Sequence, residues 1–543
     1  MWTQVYSPVA GSLAASAFVA ALPIFVLGVM LGVMRQPAWR ASLAALATAL
    51  VVGVGAYGMP VDLALRSAAY GAAFGWFPIG WIVFAAIILF DVTVESKCLV
   101  AIEQSLRRLS GDDRLQILLV AFAFGAFIEG TSGFGTPVAI SASLLAALGI
   151  PAATAAGLCL VANTAPVAFG ALATPIVTLA GVTGLPLGAL SSAVGRLCPP
   201  IAMVIPMYLL VLAAGWRKAL EAWPAAVVCG LAFGVAQFGV SNYIGPYLTD
   251  IVSAIASGGA LVLLMKVWQP PTLFRMQPTG SSSSAARGDV PEFSLVRAWA
   301  PYLLLVGLVL VWGSGWATTF LGSFTVAFQV PGLHNAIQRM PPVVAEAAPY
   351  GAVYTFNWLA SAGTACFVAA LLAALVTGIK PGRLVGMTVG TAKRLAVPEL
   401  TIGAVLSLAY VMNYSGATAT LGLALARTGW MFPFFGTFLG WLGVFLTGSD
   451  TSANALFGNL QMISARTLGL SPVLMAAVNS TGGVLGKMIS IQSIAVAAAA
   501  TGMAQGSEGR LFMFTLRHSI ALTVAMGVLA LLFAYAFPGA IPR

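Results

Sequence analysis

Phe127-Ile128-Glu129-Gly130-Thr131-Ser132-Gly133-Phe134-Gly135-Thr136-Pro137 is the stretch on which the fold turns. It interrupts an apolar region, 115–148, that is too long for one membrane crossing. Either half alone falls short of the ~20 residues a crossing helix needs. Three glycines and a proline break the helix ladder. Irregular backbone at membrane depth survives only where protein or trapped water satisfies it. The region therefore reads as a re-entrant helical hairpin. A second region, 431–468, has the same character, broken at Thr447-Gly448-Ser449-Asp450-Thr451-Ser452-Ala453-Asn454.

Around these breaks the chain is membrane-like throughout. Only 7% of its 543 residues are charged and 60% are hydrophobic, against about 25% charged in a soluble domain, so a soluble fold is excluded. Apolar stretches of crossing length fall near 10–34, 42–58, 68–91, 155–180, 187–213, 223–240, 251–267, 298–320, 357–378, 396–426, 472–499 and 511–536. The first is too long for a signal-peptide core and no cleavage site follows it. The fold class expected is all-α integral membrane, with about 12 transmembrane helices plus two re-entrant hairpins. Trp216, Trp268 and Trp299, near span ends, read as interfacial anchors.

With both breaks treated as hairpins, 18 of the 25 basic residues fall on one face. They are Arg35, Arg40, Lys97, Arg107, Arg108, Arg114, Arg217, Lys218, Lys266, Arg275, Arg287, Arg297, Lys380, Arg383, Lys393, Arg394, Arg510 and Arg517. The positive-inside rule makes that face cytoplasmic and puts both termini outside. Topology thus explains the formal charge of +10 without nucleic acid.

The same topology contains an inverted repeat. Three crossings, a hairpin and two crossings in 1–213 recur with opposite orientation in 298–543, with hairpins near 115–148 and 431–468. A helix pair within 214–268 connects them, and the polar, serine-rich segment 269–297 reads as a cytoplasmic linker. Asn163-Thr164 followed by Gly170, and Asn479-Ser480 followed by Gly486, echo one another at equal spacing. Inverted repeats with interrupted helices mark secondary transporters, whose substrates bind at the breaks near the midplane.

The breaks supply the chemistry. A half-helix beginning at a break offers unpaired N–H groups and a positive dipole end to a carboxylate. Thr131, Ser132 and Thr136 at the first break, and Ser449, Thr451 and Ser452 at the second, add hydroxyl donors. Glu129 and Asp450 lie at membrane depth, where an ionised acid costs ~2.5–3.5 kcal/mol on insertion scales. Each reads as a proton carrier or cation ligand, or else as a helix-capping acid. Asn163-Thr164 and Asn479-Ser480 suit the carboxylate and hydroxyl of a small solute, or hydrogen bonds between packed helices. Lys487 and Arg196 could neutralise an anion, snorkel to the interface or pair with the acids. Tyr414-Ser415 marks a further break. The scattered cysteines and the isolated His334 and His518 suggest neither disulfides nor a metal site, and no cofactor is implied. Walker, HExxH and GxSxG patterns are absent, so neither ATP-driven pumping nor familiar hydrolase chemistry is expected.

Several long motifs resemble the L-lactate permease family: Glu129 to Ile140, Asn357-Trp358-Leu359-Ala360-Ser361-Ala362-Gly363-Thr364, Tyr410 to Gly416, Gly440 to Ser452 and Gly486 to Ser490. The amino-terminal Trp2 to Pro8 is similar in style, so the likeness runs across the chain. Departures stand at Thr131-Ser132, Ala173-Thr174-Pro175 and Ile491. The resemblance implies uptake of L-lactate, D-lactate and glycolate by proton symport. It also implies kinship with transporters that use paired hairpins and elevator-like motion. The implied setting is a bacterial inner membrane and the partners are a 2-hydroxymonocarboxylate anion, a proton and the bilayer, with a homo-oligomer left open. Sodium coupling, a channel or a membrane-embedded enzyme are the rivals; a channel would not accumulate substrate and an enzyme would change it.

Overall fold

A computed structural model describes residues 1–133, 135–276, 295–503 and 508–542. Residues 277–294 of the expected linker, and Phe134 in the first break, lie outside the described residues. Among those described, 11 helices are long and apolar enough to cross a membrane, or up to 13 if two bent pairs each count as one span.

Both broken regions fold as helical hairpins. The first has arms Asp113–Thr131 and Thr136–Ala147, and the second Phe432–Thr447 and Asp450–Thr467. An 18-residue window of the arm Asp113–Thr131 is wholly buried, whereas only 22% of the corresponding window of Leu13–Val33 is. The hairpin is therefore central and the first span faces lipid. The two spans that Asn163-Thr164 and Asn479-Ser480 interrupt are bent sharply at those breaks. Ala152–Ala162 and Val167–Thr183 meet at 65°, and Pro472–Ile489 and Ile491–Ala500 at 44°.

Packing separates a frame from a centre. In the frame, Pro381–Ser415 lies against Ala38–Gly55 and Val61–Phe74, while Ala362–Thr377 lies against Trp81–Glu95 and Leu295–Gly313. Arg383 pairs with Glu95 and Arg394 with Asp91 at its charged end. In the centre, each broken helix leans on the hairpin of the other half: Gly170–Thr183 on Asp450–Thr467, and Ile491–Ala500 on Thr136–Ala147. Glycines permit the closest approaches. A β-carbon on Gly440 would lie 2.0 Å from the Asn479 carbonyl oxygen, and one on Gly482 2.1 Å from that of Thr437. Small residues let membrane helices touch along their backbones.

Trp223–Tyr243 and Thr249–Val267 pack together, the latter against the first hairpin. The fully buried Arg114 fastens the hairpin base to both flanking loops. It donates to Asp112 Oδ2 (2.8 Å), Glu221 Oε2 (3.1 Å), the Lys218 carbonyl (2.7 Å) and the Thr272 carbonyl (2.6 Å).

A small β-structured cap was not expected. Val326–Gln329 pairs antiparallel with Val353–Phe356, and Ile337–Arg339 pairs with both Ala348–Pro349 and the N-terminal Trp2–Thr3. The N-terminal segment and this loop therefore share one face. Gln4 Nε2 donates to the Asn413 and Tyr414 carbonyls at 3.0 and 2.9 Å. Those groups end the helix Pro381–Ser415, which stops at Gly416 in the left-handed region (φ +89). Terminal carbonyls need such outside donors. The apolar stretch 396–426 is accordingly two helices, Pro381–Ser415 and Ala417–Leu425.

Candidate functional site

Four helix beginnings converge on one cavity of about 180 Å³. They contribute Gly135 before Thr136–Ala147; Gly170, Ala171 and Thr174 of Gly170–Thr183; Ser449, Asp450 and Thr451 of Asp450–Thr467; and Gln492, Ser493 and Val496 of Ile491–Ala500. Glu129 and Lys487, near the ends of the preceding half-helices, also line it. Each helix beginning carries a partial positive charge and spare N–H groups, so their convergence favours an anion. The volume is below the ~300–1,000 Å³ of drug-sized pockets and suits a small solute.

The local chain geometry follows from the breaks. Gly133 and Gly135 take left-handed φ values of +59 and +83. Opposite them, Ala171, Leu172 and Ala173 have φ of +46, +54 and +58, a left-handed turn built without glycine. Such backbone costs about 1–2 kcal/mol per residue for an L-residue and persists only where its surroundings enforce it. Glu129 Oε1 packs against Gly170, where a β-carbon would lie 2.5 Å from it and displace the carboxyl.

Asp450 is buried and held from one side. Ser480 Oγ donates to its Oδ2 at 2.6 Å and Asn454 Nδ2 at 3.4 Å, while Oδ1 has no partner. A β-carbon on Gly483 would come within 2.2 Å of that Oδ1. Glu129 is buried with Oε2 unpartnered. Lys487 Nζ donates to the Gly448 carbonyl at 2.7 Å, tying the second broken helix, Pro472–Ile489 with Ile491–Ala500, to the second hairpin tip. It is also near enough to both acids to interact with each charge.

Of the residues expected at the site, the cavity brings together Glu129, Ser449, Asp450, Thr451 and Lys487. Asn163 lies behind Glu129 and Ser480 behind Asp450. Asn479 is engaged by Asn454 Oδ1, the Ala453 carbonyl and Gln461, the interhelical alternative. Thr131 and Ser132 turn their hydroxyls back to the Ile128 carbonyl, and Thr164 to that of Val161. Thr136 and Ser452 are outside the lining, the Ser452 amide capping onto Ser449 Oγ. Arg196 is elsewhere, bonded to Asn242 Oδ1 and the Ala540 carbonyl. Tyr414 belongs to the frame, where it stacks on Tyr350 and donates to the Gly351 carbonyl, and Ser415 donates to the Met412 carbonyl. Thr174, Gln492 and Ser493 were missed. Pro175 and Ser490, helix-breaking and capping residues beside them, were the available signals.

Helices of crossing length around two hairpins and a small cavity are the architecture of a multi-pass membrane protein, and the family match makes it a permease. The L-lactate permease family model matches residues 16–537, and the chain belongs to that family. It is 44% identical over 555 residues to the glycolate permease GlcA of Escherichia coli (strain K12), covering 99% of each chain. It is also 44% identical over 567 residues to the L-lactate permease of Bacillus subtilis (strain 168), covering 100% of each. Among solved structures it resembles Neisseria gonorrhoeae MtrF, with a TM-score of 0.50 and 13% identity over 95% of this chain and 98% of that one. At that identity the likeness concerns the fold alone.

Proposed function

We propose that the protein is a secondary active transporter importing L-lactate, D-lactate and glycolate with a proton across a bacterial inner membrane. The observation that carries this reading is the convergence of four helix beginnings on a small cavity that also contains two acids and a lysine. The helix ends and Lys487 attract the substrate carboxylate, and Ser449, Thr451, Thr174 and Ser493 offer hydroxyl partners to the 2-hydroxyl. Ionised Glu129 and Asp450 with Lys487 give the empty site one net negative charge. A bound anion makes that two, and one proton on either acid restores it to one. The loaded site then crosses with no added charge, avoiding a cost of several kcal/mol at membrane depth.

The order of elements supports two oppositely oriented units, 1–213 and 298–543, joined by the pair within 214–268. Runs of 35 residues, Val61–Glu95 and Pro381–Ser415, hold corresponding places in them. Because each broken helix packs on the opposite hairpin, the cavity walls would travel together against the frame, as an elevator requires. Both termini lie outside in this topology.

The test is uptake of labelled L-lactate into proteoliposomes under an inward proton gradient without sodium. Accumulation abolished by a protonophore is expected. Accumulation that needs sodium would replace the coupling ion, and equilibration without accumulation would identify a channel.

A further inference from the structure

A second cavity lies beside the first hairpin and shares no lining residue with the transport site. The arm Asp113–Thr131, the connecting helix Thr249–Val267 and the frame helix Leu295–Gly313 enclose an apolar groove of about 630 Å³. Phe124 and Phe127 stand on one wall and Trp299 on another, while Gly258-Gly259 open the third. A β-carbon on Gly258 would already touch that of Ala123 at 3.5 Å, whereas one on Gly259 would meet nothing within 4 Å. Ile255, Leu263 and Val296 at the edges of the groove are exposed, so it opens where these spans meet lipid.

The groove runs lengthwise. Along the connecting helix its lining extends from Ala254 to Leu263, about 14 Å of helix, close to the ~15 Å of hydrocarbon in one leaflet. Leu109 then passes from the groove into a polar basin of about 270 Å³, which Arg108, Gly111, Asp112 and Gln269 help to line. Arg108 is exposed and has no carboxylate partner among the described residues. Arg275 Nη2 lies 3.5 Å from where a β-carbon on Gly111 would stand. The acids nearby are already engaged: Asp112 pairs with Arg114 at 2.8 Å, and Asp113, which Arg275 also attracts, accepts the Met276 amide at 2.6 Å. The basin therefore keeps positive charge to spare, on the face that the topology makes cytoplasmic.

The ordinary reading is a lipid-facing surface wetted by any passing tail. A tail gains no hydrophobic energy by leaving other tails, so an apolar groove alone selects nothing. A cationic basin at the end of a leaflet-long groove does select, because basic side chains at the membrane surface attract anionic headgroups. We propose that the groove holds one acyl chain of an anionic phospholipid from the cytoplasmic leaflet, with its headgroup seated in the basin against Arg108 and Arg275. The chain lies between the arm that carries Glu129 and the frame helix Leu295–Gly313, filling space that neither side chain set fills. Neither the substrate nor the coupling ion enters this inference.

The experiment is native mass spectrometry of the full chain released from micelles that hold equal amounts of dioleoyl phosphatidylglycerol and dioleoyl phosphatidylcholine. These lipids share their chains and differ in head charge. One basic residue near the surface is worth about fivefold, so wild type should retain phosphatidylglycerol over phosphatidylcholine by more than that. Arg108→Gln should lower the preference about fivefold. Gly259→Phe, which fills the groove where a side chain meets nothing, should lose the retained lipid of either head. Equal retention of the two lipids by wild type overturns the proposal, and so does an unchanged preference in Arg108→Gln or unchanged retention in Gly259→Phe. If Gly259→Phe does not fold, Gly259→Leu replaces it with the same two outcomes. The readout needs no transport, so its failure and a failure of lactate uptake are distinct results.

Discussion

Replacing Ala171 with glycine tests the geometry on which the cavity rests. Ala171 sits at φ +46 in the left-handed turn and is buried, while Ala156, in Ala152–Ala162 of the same broken helix, is a buried alanine in ordinary helix. Ala156→Gly removes one buried methyl, about 0.8 kcal/mol, and adds about 1 kcal/mol of backbone freedom to the unfolded chain. It should therefore destabilise by about 2 kcal/mol. Ala171→Gly carries the same two penalties but releases the left-handed strain, about 1–2 kcal/mol. Its net effect should be between none and about 1 kcal/mol. The common terms cancel in the difference, leaving the strain alone. Denaturant unfolding of both variants in one detergent measures that difference. If both lose equal stability, within the ~0.3–0.5 kcal/mol over which independent effects add, Ala171 is not held left-handed and the cavity wall has been misdrawn.

Other outcomes follow from the same contacts. Ser480→Ala removes the 2.6 Å hydrogen bond to Asp450; unfolding measurements should register about 1.5–3 kcal/mol if the acid is ionised and about 1 kcal/mol if it is neutral. Gly483→Ala forces a methyl to within 2.2 Å of Asp450 Oδ1, and uptake at fixed pH should fall at least about tenfold, equivalent to 1.4 kcal/mol. Arg196→Met should keep lactate uptake per folded molecule within about twofold, since its guanidinium is bonded to Asn242 and the Ala540 carbonyl away from the cavity; Lys487→Met should not. Glu221 is held down at about 2 by hydrogen bonds from Lys218, then Thr272 and Arg114. Its folded value lies below the ordinary value of about 4.3, so its stabilisation is complete above that pH and disappears as pH falls toward about 2. Acid unfolding of Glu221→Gln should lack that component.

What the sequence makes legible is set by chain distance. Each hairpin is written locally, because the glycines that break it stand beside the acid it buries, as in Glu129-Gly130 to Gly135 and Gly448-Ser449-Asp450. Lys487 is visible for a similar reason, as a lone charge in an apolar run. The hydroxyls were harder to assign because short side chains have two destinations. Ser449 caps Ser452 at the cavity edge, whereas Thr131 and Ser132 satisfy the carbonyl of their own last turn. Nothing local distinguishes those fates. The left-handed turn at Ala171–Ala173 is similarly hidden, since alanine ordinarily argues for regular helix and only tertiary packing overrides it. Asp250 is the furthest case. Beside Thr249 it looks like an acid at the start of a helix, but it packs on Gly130, which is 120 positions away. Gly130 is itself legible in a different sense. A break needs glycine for backbone freedom, but Gly130 lies within helix Gly125–Thr131 and has no positive φ. Its missing side chain is needed for space, and the atom filling that space belongs to Asp250. A helical glycine beside a buried acid thus points to a neighbouring helix packed against the glycine itself.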